Sequence, residues 1–253
     1  MNMSSFWKRL WTSYALSAFF FTVPLISSAD NAYALLNQEL REQFEKATQY
    51  NDVPNTLLLL KLIVDDAIRK GDKAPDYNLC KLHVKDTHLF CEGNRGIKRV
   101  NMPQLSGIPL PNTPADNLPR NQRNEVDATN NFAEYLENKK QYKITEESVP
   151  AASLKATQNE IVGSKVAYIW LATQDPESDS YKTIIESPIF ISQDNYVLDG
   201  HHRWAAAVAR AISQGALSKL VMKAKRVHVG IDQLVKDANE FARIFGIKEE
   251  AGL

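Results

Sequence analysis

The sequence has no excess of charge of either sign and very little cysteine. Thirty basic and thirty acidic residues give a formal net charge of zero. No global electrostatic field therefore draws the chain to nucleic acid, and binding of that kind would need a local basic patch. Neither half of the chain is repetitive. At 253 residues, the chain is long enough for one large domain or two small ones.

A membrane-length apolar run is also missing near the N-terminus. The apolar stretch at residues 11–26 is shorter than the roughly 20 residues that a bilayer span needs. It follows two basic residues and precedes small-x-small patterns that end at Ala29 and Ala34. This order is typical of a secretory signal peptide, so we expect residues 1–34 to be a signal that is cleaved after one of these alanines. We expect a periplasmic or secreted protein without a stable membrane anchor; an uncleaved anchor is the alternative.

Export would place the two cysteines in an oxidising compartment. Cys80 and Cys91 flank Lys85-Asp86, where a two-residue turn would make a β-hairpin with the cysteines directly opposite each other. Opposed residues lie about 4.5–5.5 Å apart at Cα, within the range that a disulfide needs. We therefore expect a Cys80–Cys91 disulfide. A zinc site that uses His83 or His88 is the alternative, although the spacing fits no familiar zinc pattern.

A proline-rich segment divides the rest of the chain. Residues 35–102 contain two helical patterns, at 35–50 and 54–70, followed by the hairpin. Residues 103–123 hold five prolines and are expected to form an extended connection. In residues 124–253 the patterns alternate, so we expect an α+β fold with a compact, mixed α/β C-terminal unit. The elements predicted there are helices at 124–139, within 158–171, at 201–214 and at 232–245, and strands at 142–149, 184–192, 196–198 and 220–229.

The most informative motif is Asp199-Gly200-His201-His202-Arg203, between a strand pattern and an Ala-rich helical stretch. A helix N-terminus has free backbone N–H groups and the positive end of the helix dipole, which together favour an anion. Arg203 can make two hydrogen bonds to a phosphate, and an imidazole can donate a proton near neutral pH. The motif therefore predicts phosphate binding, whereas Asp-Gly alone is typical of a simple turn.

The chain resembles the ParB/sulfiredoxin superfamily in this motif, in residues 187–192 that precede it, and in an upstream segment, residues 154–167. Residues 99–104 are similar to a segment that precedes the domain in ParB-like domains of phage-associated and toxin-like proteins. The resemblance covers about residues 99–245 and implies a ParB/sulfiredoxin-like C-terminal domain.

The resemblance also implies nucleotide or phosphate chemistry. Sulfiredoxins use a cysteine where this chain has His201, so their reductase reaction is excluded. The motif is most similar to that of the superfamily's free serine kinases, which implies that Gly200, His202 and Arg203 bind the phosphates of ATP or another nucleotide. In those kinases an upstream glutamate serves as base, and Glu160 is the matching candidate. Gln158 is a further candidate for ligand contact.

The leading hypothesis is an exported phosphotransferase or NTPase that binds a nucleotide or a phosphorylated small molecule. Phosphoryl transfer usually employs a divalent ion, so we expect Mg²⁺ or Mn²⁺, with Asp199 or Glu160 as the ligand. The catalytic candidates are Asp199, His201, His202 and Glu160.

Two alternatives remain open. One is a metal-dependent ParB-like nuclease, in which Asp199 and a histidine of the motif would act on a phosphodiester. The neutral net charge argues against this alternative, because nucleases usually carry a basic face. The other is a binding module for phosphate or nucleic acid without turnover. Lys223, Lys225 and Arg226 form a small basic strand that is either a solvated face or a nucleic-acid patch. Trp204 is expected in the core.

Overall fold

The computed structural model describes residues 29–85, 87–98, 101–103, 105 and 128–247. Residues 1–28 of the predicted signal peptide and most of the proline-rich connection, 103–123, lie outside this part of the chain. A compact unit begins at Gln38, and the contacts below belong to it. Within the described ranges, no helix combines the length and the apolar character that a membrane crossing requires.

Seven α-helices and a five-stranded mixed sheet make up the described part of the chain, which confirms the α+β class. The helices are α1 (Ala29–Gln49), α2 (Val53–Lys70), α3 (Ala128–Asn138), α4 (Gly163–Ala172), α5 (Asp179–Ile184), α6 (His201–Ser213) and α7 (Ile231–Phe245). The strands are β1 (Ile144–Pro150), β2 (Lys155–Ala156), β3 (Ile189–Ser192), β4 (Tyr196–Asp199) and β5 (Val221–Val227). Their order in the sheet is β1-β5-β3-β4-β2. The outer pair β1/β5 is antiparallel, β5/β3 parallel, β3/β4 antiparallel and β4/β2 parallel.

Side chains of the central strands alternate between two hydrophobic cores. Ile189 and Ile191 of β3 contribute to the first core, and Phe190 between them contributes to the second. Successive residues of a strand point to opposite faces of the sheet, so the sheet separates the two cores. Helices α2, α4 and α6 contribute to the first core, and α3 and α7 to the second. The result is a three-layer arrangement with the sheet in the middle.

Capping residues in the local sequence determine where helix α2 begins and ends. The Asp52 side chain caps it by accepting the backbone N–H of Asn55, and a proline occupies its first turn. Gly71 ends it with a φ of +71°, a left-handed conformation that glycine adopts without a steric penalty. Leu57, Leu60 and Val64 of this helix are buried in the first core. This N-terminal helix thus shares its core with helices of the C-terminal half.

The disulfide between Cys80 and Cys91 is confirmed, but the hairpin predicted around it is wrong. Cys80 lies in a 3₁₀ turn, Leu79–Lys81, and the described residues between the cysteines form turns and irregular backbone. Asn78 starts the turn because its side chain accepts the backbone N–H of Cys80 at 3.0 Å. Leu82, Leu89 and Phe90 are all buried. Side chains from both ends of this segment therefore enter the core, and no half-exposed strand pair can form.

The strand predicted at 184–192 is limited to β3, Ile189–Ser192. Residues 179–184 instead form the short helix α5, because the Ser178 hydroxyl caps it by accepting the backbone N–H of Tyr181 at 3.1 Å. Residues 193–195 form a turn that joins β3 to β4. Asn195 adopts a φ of +68° in this turn, which asparagine tolerates better than most residues.

Candidate functional site

Two adjacent segments form the candidate site, and the sheet brings them together. The helix-start motif, Asp199–Arg203, runs from the end of β4 into the first turn of α6. The site loop, residues 157–162, follows β2, which pairs in parallel with β4. Parallel neighbours end at the same edge of a sheet. The sheet therefore places the site loop beside the helix-start motif, as a shared site requires.

Gly200 is required by backbone conformation and by packing. Its φ is +101°, which L side chains rarely adopt. A Cβ at this position would lie 2.4 Å from Cγ2 of Ile189 and 3.2 Å from Nη2 of Arg203. The glycine thus lets β4 turn into α6 directly against β3.

Both histidines of the motif accept hydrogen bonds from the site loop. The backbone N–H of Thr157 donates to Nε2 of His201 at 3.1 Å, and that of Val162 donates to Nε2 of His202 at 3.1 Å. A backbone N–H is only a donor, so each of these ring nitrogens must be unprotonated in this arrangement. His201 is buried and His202 is half-buried. The two imidazoles therefore hold both ends of the site loop against the start of α6.

The Arg203 guanidinium lies among acceptors of the protein itself. Its Nη2 pairs with the Asp199 carboxylate at 3.3 Å, and both side chains are largely buried. Nη1 donates to the carbonyl of Ser187 at 3.1 Å, and Nη2 to that of Pro188 at 3.4 Å. Arg203 thereby fixes the turn that enters β3. It also brings a positive charge, balanced by one carboxylate, to the start of α6.

Gln158 is the unusual member of the site loop. Its side chain is buried, with 4% of the residue exposed, yet Nε2 has no hydrogen-bond partner among the residues that the structure describes. A buried amide without a partner costs about 1–3 kcal/mol of stability. The backbone of Gln158 is fixed by a bridge to Ile97. An unsatisfied donor on a loop that two histidines hold in place is a natural contact for a ligand oxygen.

Glu160 lies two residues beyond Gln158 on the same loop and is half-buried. The structure thus brings every residue predicted for the site to either the site loop or the helix-start motif. Trp204, by contrast, is completely buried, and its indole N–H donates to the carbonyl of Ala151 at 3.0 Å. This confirms Trp204 as a core residue.

Asn78 is a residue of the site that the sequence did not indicate. Its Oδ1 accepts the backbone N–H of Ile161 at 3.1 Å, and its Nδ2 donates to the carbonyl of Asn159 at 3.3 Å. These partners are more than eighty positions away in the chain. No local pattern predicts such a contact, because it depends on how the N-terminal segment packs against the sheet.

The described residues do not supply a ligand set for a metal held by the protein alone. Among them, no group of three histidine, cysteine or acidic side chains has the required proximity. Asp199 offers one carboxylate, which already pairs with Arg203. The zinc alternative near His83 and His88 lacks thiolate ligands, because both cysteines form the disulfide.

The basic strand is balanced by acidic neighbours. Nζ of Lys223 lies 3.8 Å from Oε2 of Glu186, and Nζ of Lys225 lies 3.8 Å from Oε1 of Glu146. Arg226 pairs with the Glu147 side chain and donates to the carbonyls of residues 192 and 193. These pairs reduce the positive potential that phosphate contacts with nucleic acid require.

No family model, curated protein or solved structure matches this chain. Any statement of function must therefore come from the geometry and chemistry of the site itself.

Proposed function

We propose that the protein binds the phosphate groups of a nucleotide such as ATP, or of another phosphorylated small molecule, at the helix-start motif and the site loop. We further propose that the protein is exported and acts as a phosphotransferase or NTPase. In this proposal its C-terminal domain is ParB/sulfiredoxin-like. The observation that carries the proposal is the buried Nε2 of Gln158, which has no partner among the described residues and lies on the site loop next to Thr157, whose backbone N–H is bonded to the first residue of α6. A phosphate oxygen would satisfy this donor and would be attracted by the positive end of the helix dipole.

Arg203 supports the same ligand class. Its guanidinium is held in place by Asp199 and two carbonyls, so its charge is positioned before any ligand arrives. Positioning and charge neutralisation are what phosphoryl transfer chiefly requires of a protein. Because Nε2 of both His201 and His202 already accepts a backbone N–H, we assign proton abstraction to a carboxylate, Glu160 or Asp199.

The second candidate function is a phosphate-binding module without turnover. The observation that favours it is the use of Nε2 of both imidazoles and of the guanidinium in contacts within the protein. These contacts build a rigid anion site but leave fewer groups for chemistry. The two proposals share the binding site and differ only in whether a bound nucleotide reacts.

The decisive experiment is titration calorimetry of the purified protein with ATP, CTP and inorganic phosphate, with and without Mg²⁺ or Mn²⁺. Release of phosphate is measured in parallel. Gln158→Met is the main variant because it keeps the volume of the side chain and removes only its polar atoms. Gln214→Met, an exposed position at the far end of α6, is the matched control. We expect Kd to rise about tenfold for Gln158→Met, the effect of losing one good hydrogen bond, and to stay unchanged for Gln214→Met.

Four outcomes decide between the candidates. Binding together with phosphate release supports the enzyme, and binding without release supports the module. Equal binding by the wild type and Gln158→Met would refute the assignment of the site. Cleavage of plasmid DNA without added nucleotide would favour the nuclease instead. Arg203→Ala serves as a second variant once circular dichroism has shown that it is folded.

A further inference from the structure

The site loop is held from two sides by segments of the N-terminal half. On one side, Leu79 donates its backbone N–H to the carbonyl of Ile161 at 2.9 Å, and Gly163 donates to that of Tyr77 at 2.7 Å. Asn78 adds the two side-chain bonds described above. On the other side, the N–H of Ile97 donates to the carbonyl of Thr157 at 3.3 Å, and its carbonyl accepts the N–H of Asn159 at 3.0 Å.

The disulfide joins these two supporting segments. Cys80 directly follows the first segment, and its backbone N–H donates to the same Asn78 Oδ1 that accepts the N–H of Ile161. Cys91 connects to the second segment, because Asn94 donates to the Cys91 carbonyl from its backbone at 3.0 Å and from its side chain at 2.7 Å. Asn94 Oδ1 in turn accepts the N–H of Gly96 at 2.6 Å. Each cysteine is thus linked to the site loop through a short series of hydrogen bonds.

The residue before Cys91 is under backbone strain. Phe90 has a φ of +60° and a completely buried ring. A bulky residue rarely adopts this conformation and keeps it only when its surroundings enforce it. Two constraints act here: the ring is buried in the first core, and the next residue is cross-linked to Cys80. Breaking the disulfide would remove the second constraint and would loosen the segment that leads to Ile97.

We infer that the Cys80–Cys91 disulfide is a redox control on the candidate site. The inference rests on the proposed function, since it concerns the regulation of that same site. A dithiol reductant supplies two electrons and two protons; the bond between the Cys80 and Cys91 sulfurs breaks, two thiols form, and the reductant becomes a disulfide. The two supporting segments are then no longer cross-linked by the disulfide. The site loop loses its fixed position, and its affinity for the phosphate ligand falls. The oxidised chain is the binding-competent form.

Hydrogen exchange and ATP calorimetry test this control together. The chain has no other cysteines, so a dithiol acts only on this bond. On reduction, we expect amide exchange in a peptide spanning 155–165 to accelerate about tenfold, while a peptide from the β1/β5 pair keeps its rate. ATP Kd should rise by a similar factor, and reoxidation should restore both values. The double variant Cys80→Ser/Cys91→Ser should have the exchange rates and the ATP Kd of the reduced chain, and the dithiol should change neither value.

Asn78→Ala provides a matched variant with the disulfide intact. It removes the side chain that connects Cys80 to the site loop, so it should accelerate exchange at 155–165 without any reductant. Unchanged exchange in the reduced wild type would overturn the inference. So would acceleration in every peptide, because that result would mean global unfolding. If the oxidised chain binds no ATP, the proposed function fails, and the redox control is decided by the exchange rates alone.

Discussion

His201 accepts the backbone N–H of Thr157 through its Nε2 at 3.1 Å, and both residues are buried. This bond joins the first residue of α6 to the loop that follows β2, two segments that are 44 positions apart. Its neighbour His202 repeats the arrangement with Val162. Two consecutive imidazoles therefore serve as hydrogen-bond acceptors for this loop. They satisfy backbone N–H groups that would otherwise be buried without partners.

Replacement of His201 should destabilise the fold. His201→Ala leaves the N–H of Thr157 buried without an acceptor, so we expect a loss of about 2–3 kcal/mol in the free energy of unfolding. His202→Ala should cost less, because His202 is only half-buried. Urea unfolding measures both changes. His228→Ala, an exposed position after β5, is the control and should change stability by less than about 0.5 kcal/mol. Equal losses at all three positions would contradict the structural role.

Local sequence patterns predict the elements around the site but not the contacts that complete it. The junction of β4 and α6 follows from a strand pattern, Asp199-Gly200, and an alanine-rich helical stretch. Helix α7 is recognisable from its apolar periodicity and from Gly246, which ends it with a φ of +67°. The roles of Asn78 and Thr157 are different, because their partners lie far away in the chain. Such contacts depend on tertiary packing, which also replaced the expected hairpin with buried turns.

Gly200→Ala should be far more damaging than Gly215→Ala. The first substitution places a Cβ 2.4 Å from Cγ2 of Ile189, whereas the second meets no atom of the described residues within 4 Å. Both glycines have positive φ, so both variants pay a conformational cost of about 1–2 kcal/mol. Overpacking should add about 1–3 kcal/mol at residue 200 alone.

Thermal or urea unfolding measures this difference, and a double-mutant cycle tests its cause. Ile189→Ala removes Cγ2, the nearer of the two clashing atoms, and leaves Cβ at 2.9 Å, so the double variant should be less destabilised than the sum of the single variants. Simple additivity would show that contact with Cγ2 of Ile189 is not the reason for glycine at position 200.

The ion pair of Lys140 and Glu240 should make stability depend on pH. The Lys140 ammonium donates to Glu240 at 2.8 Å and holds the pKa of that carboxyl below its ordinary value of 4.5. A group whose pKa is lower in the folded state stabilises the fold above its unfolded pKa, and this contribution is lost as pH falls through the folded pKa. Glu240→Gln removes the charge. The wild type should therefore melt at a higher temperature than Glu240→Gln above about pH 5, and the difference should shrink towards about pH 3. Glu137→Gln, an exposed position on α3, should show no such trend.

Gln158→Met should raise stability while it weakens ligand binding. Nε2 of Gln158 is buried and has no partner in the described part of the chain, so the amide carries a desolvation cost that a thioether of similar volume does not. We expect the free energy of unfolding without ligand to increase by about 1 kcal/mol. A residue kept only for packing would not show this gain, whereas a binding residue commonly trades stability for function. With saturating ATP the wild type should instead be more stable than Gln158→Met, because the wild type gains more stability from a ligand that it binds more tightly. Thermal melts with and without ATP measure both effects, and Gln214→Met should follow the wild type in each. A Gln158→Met variant that is less stable without ligand would show that the amide has a structural partner.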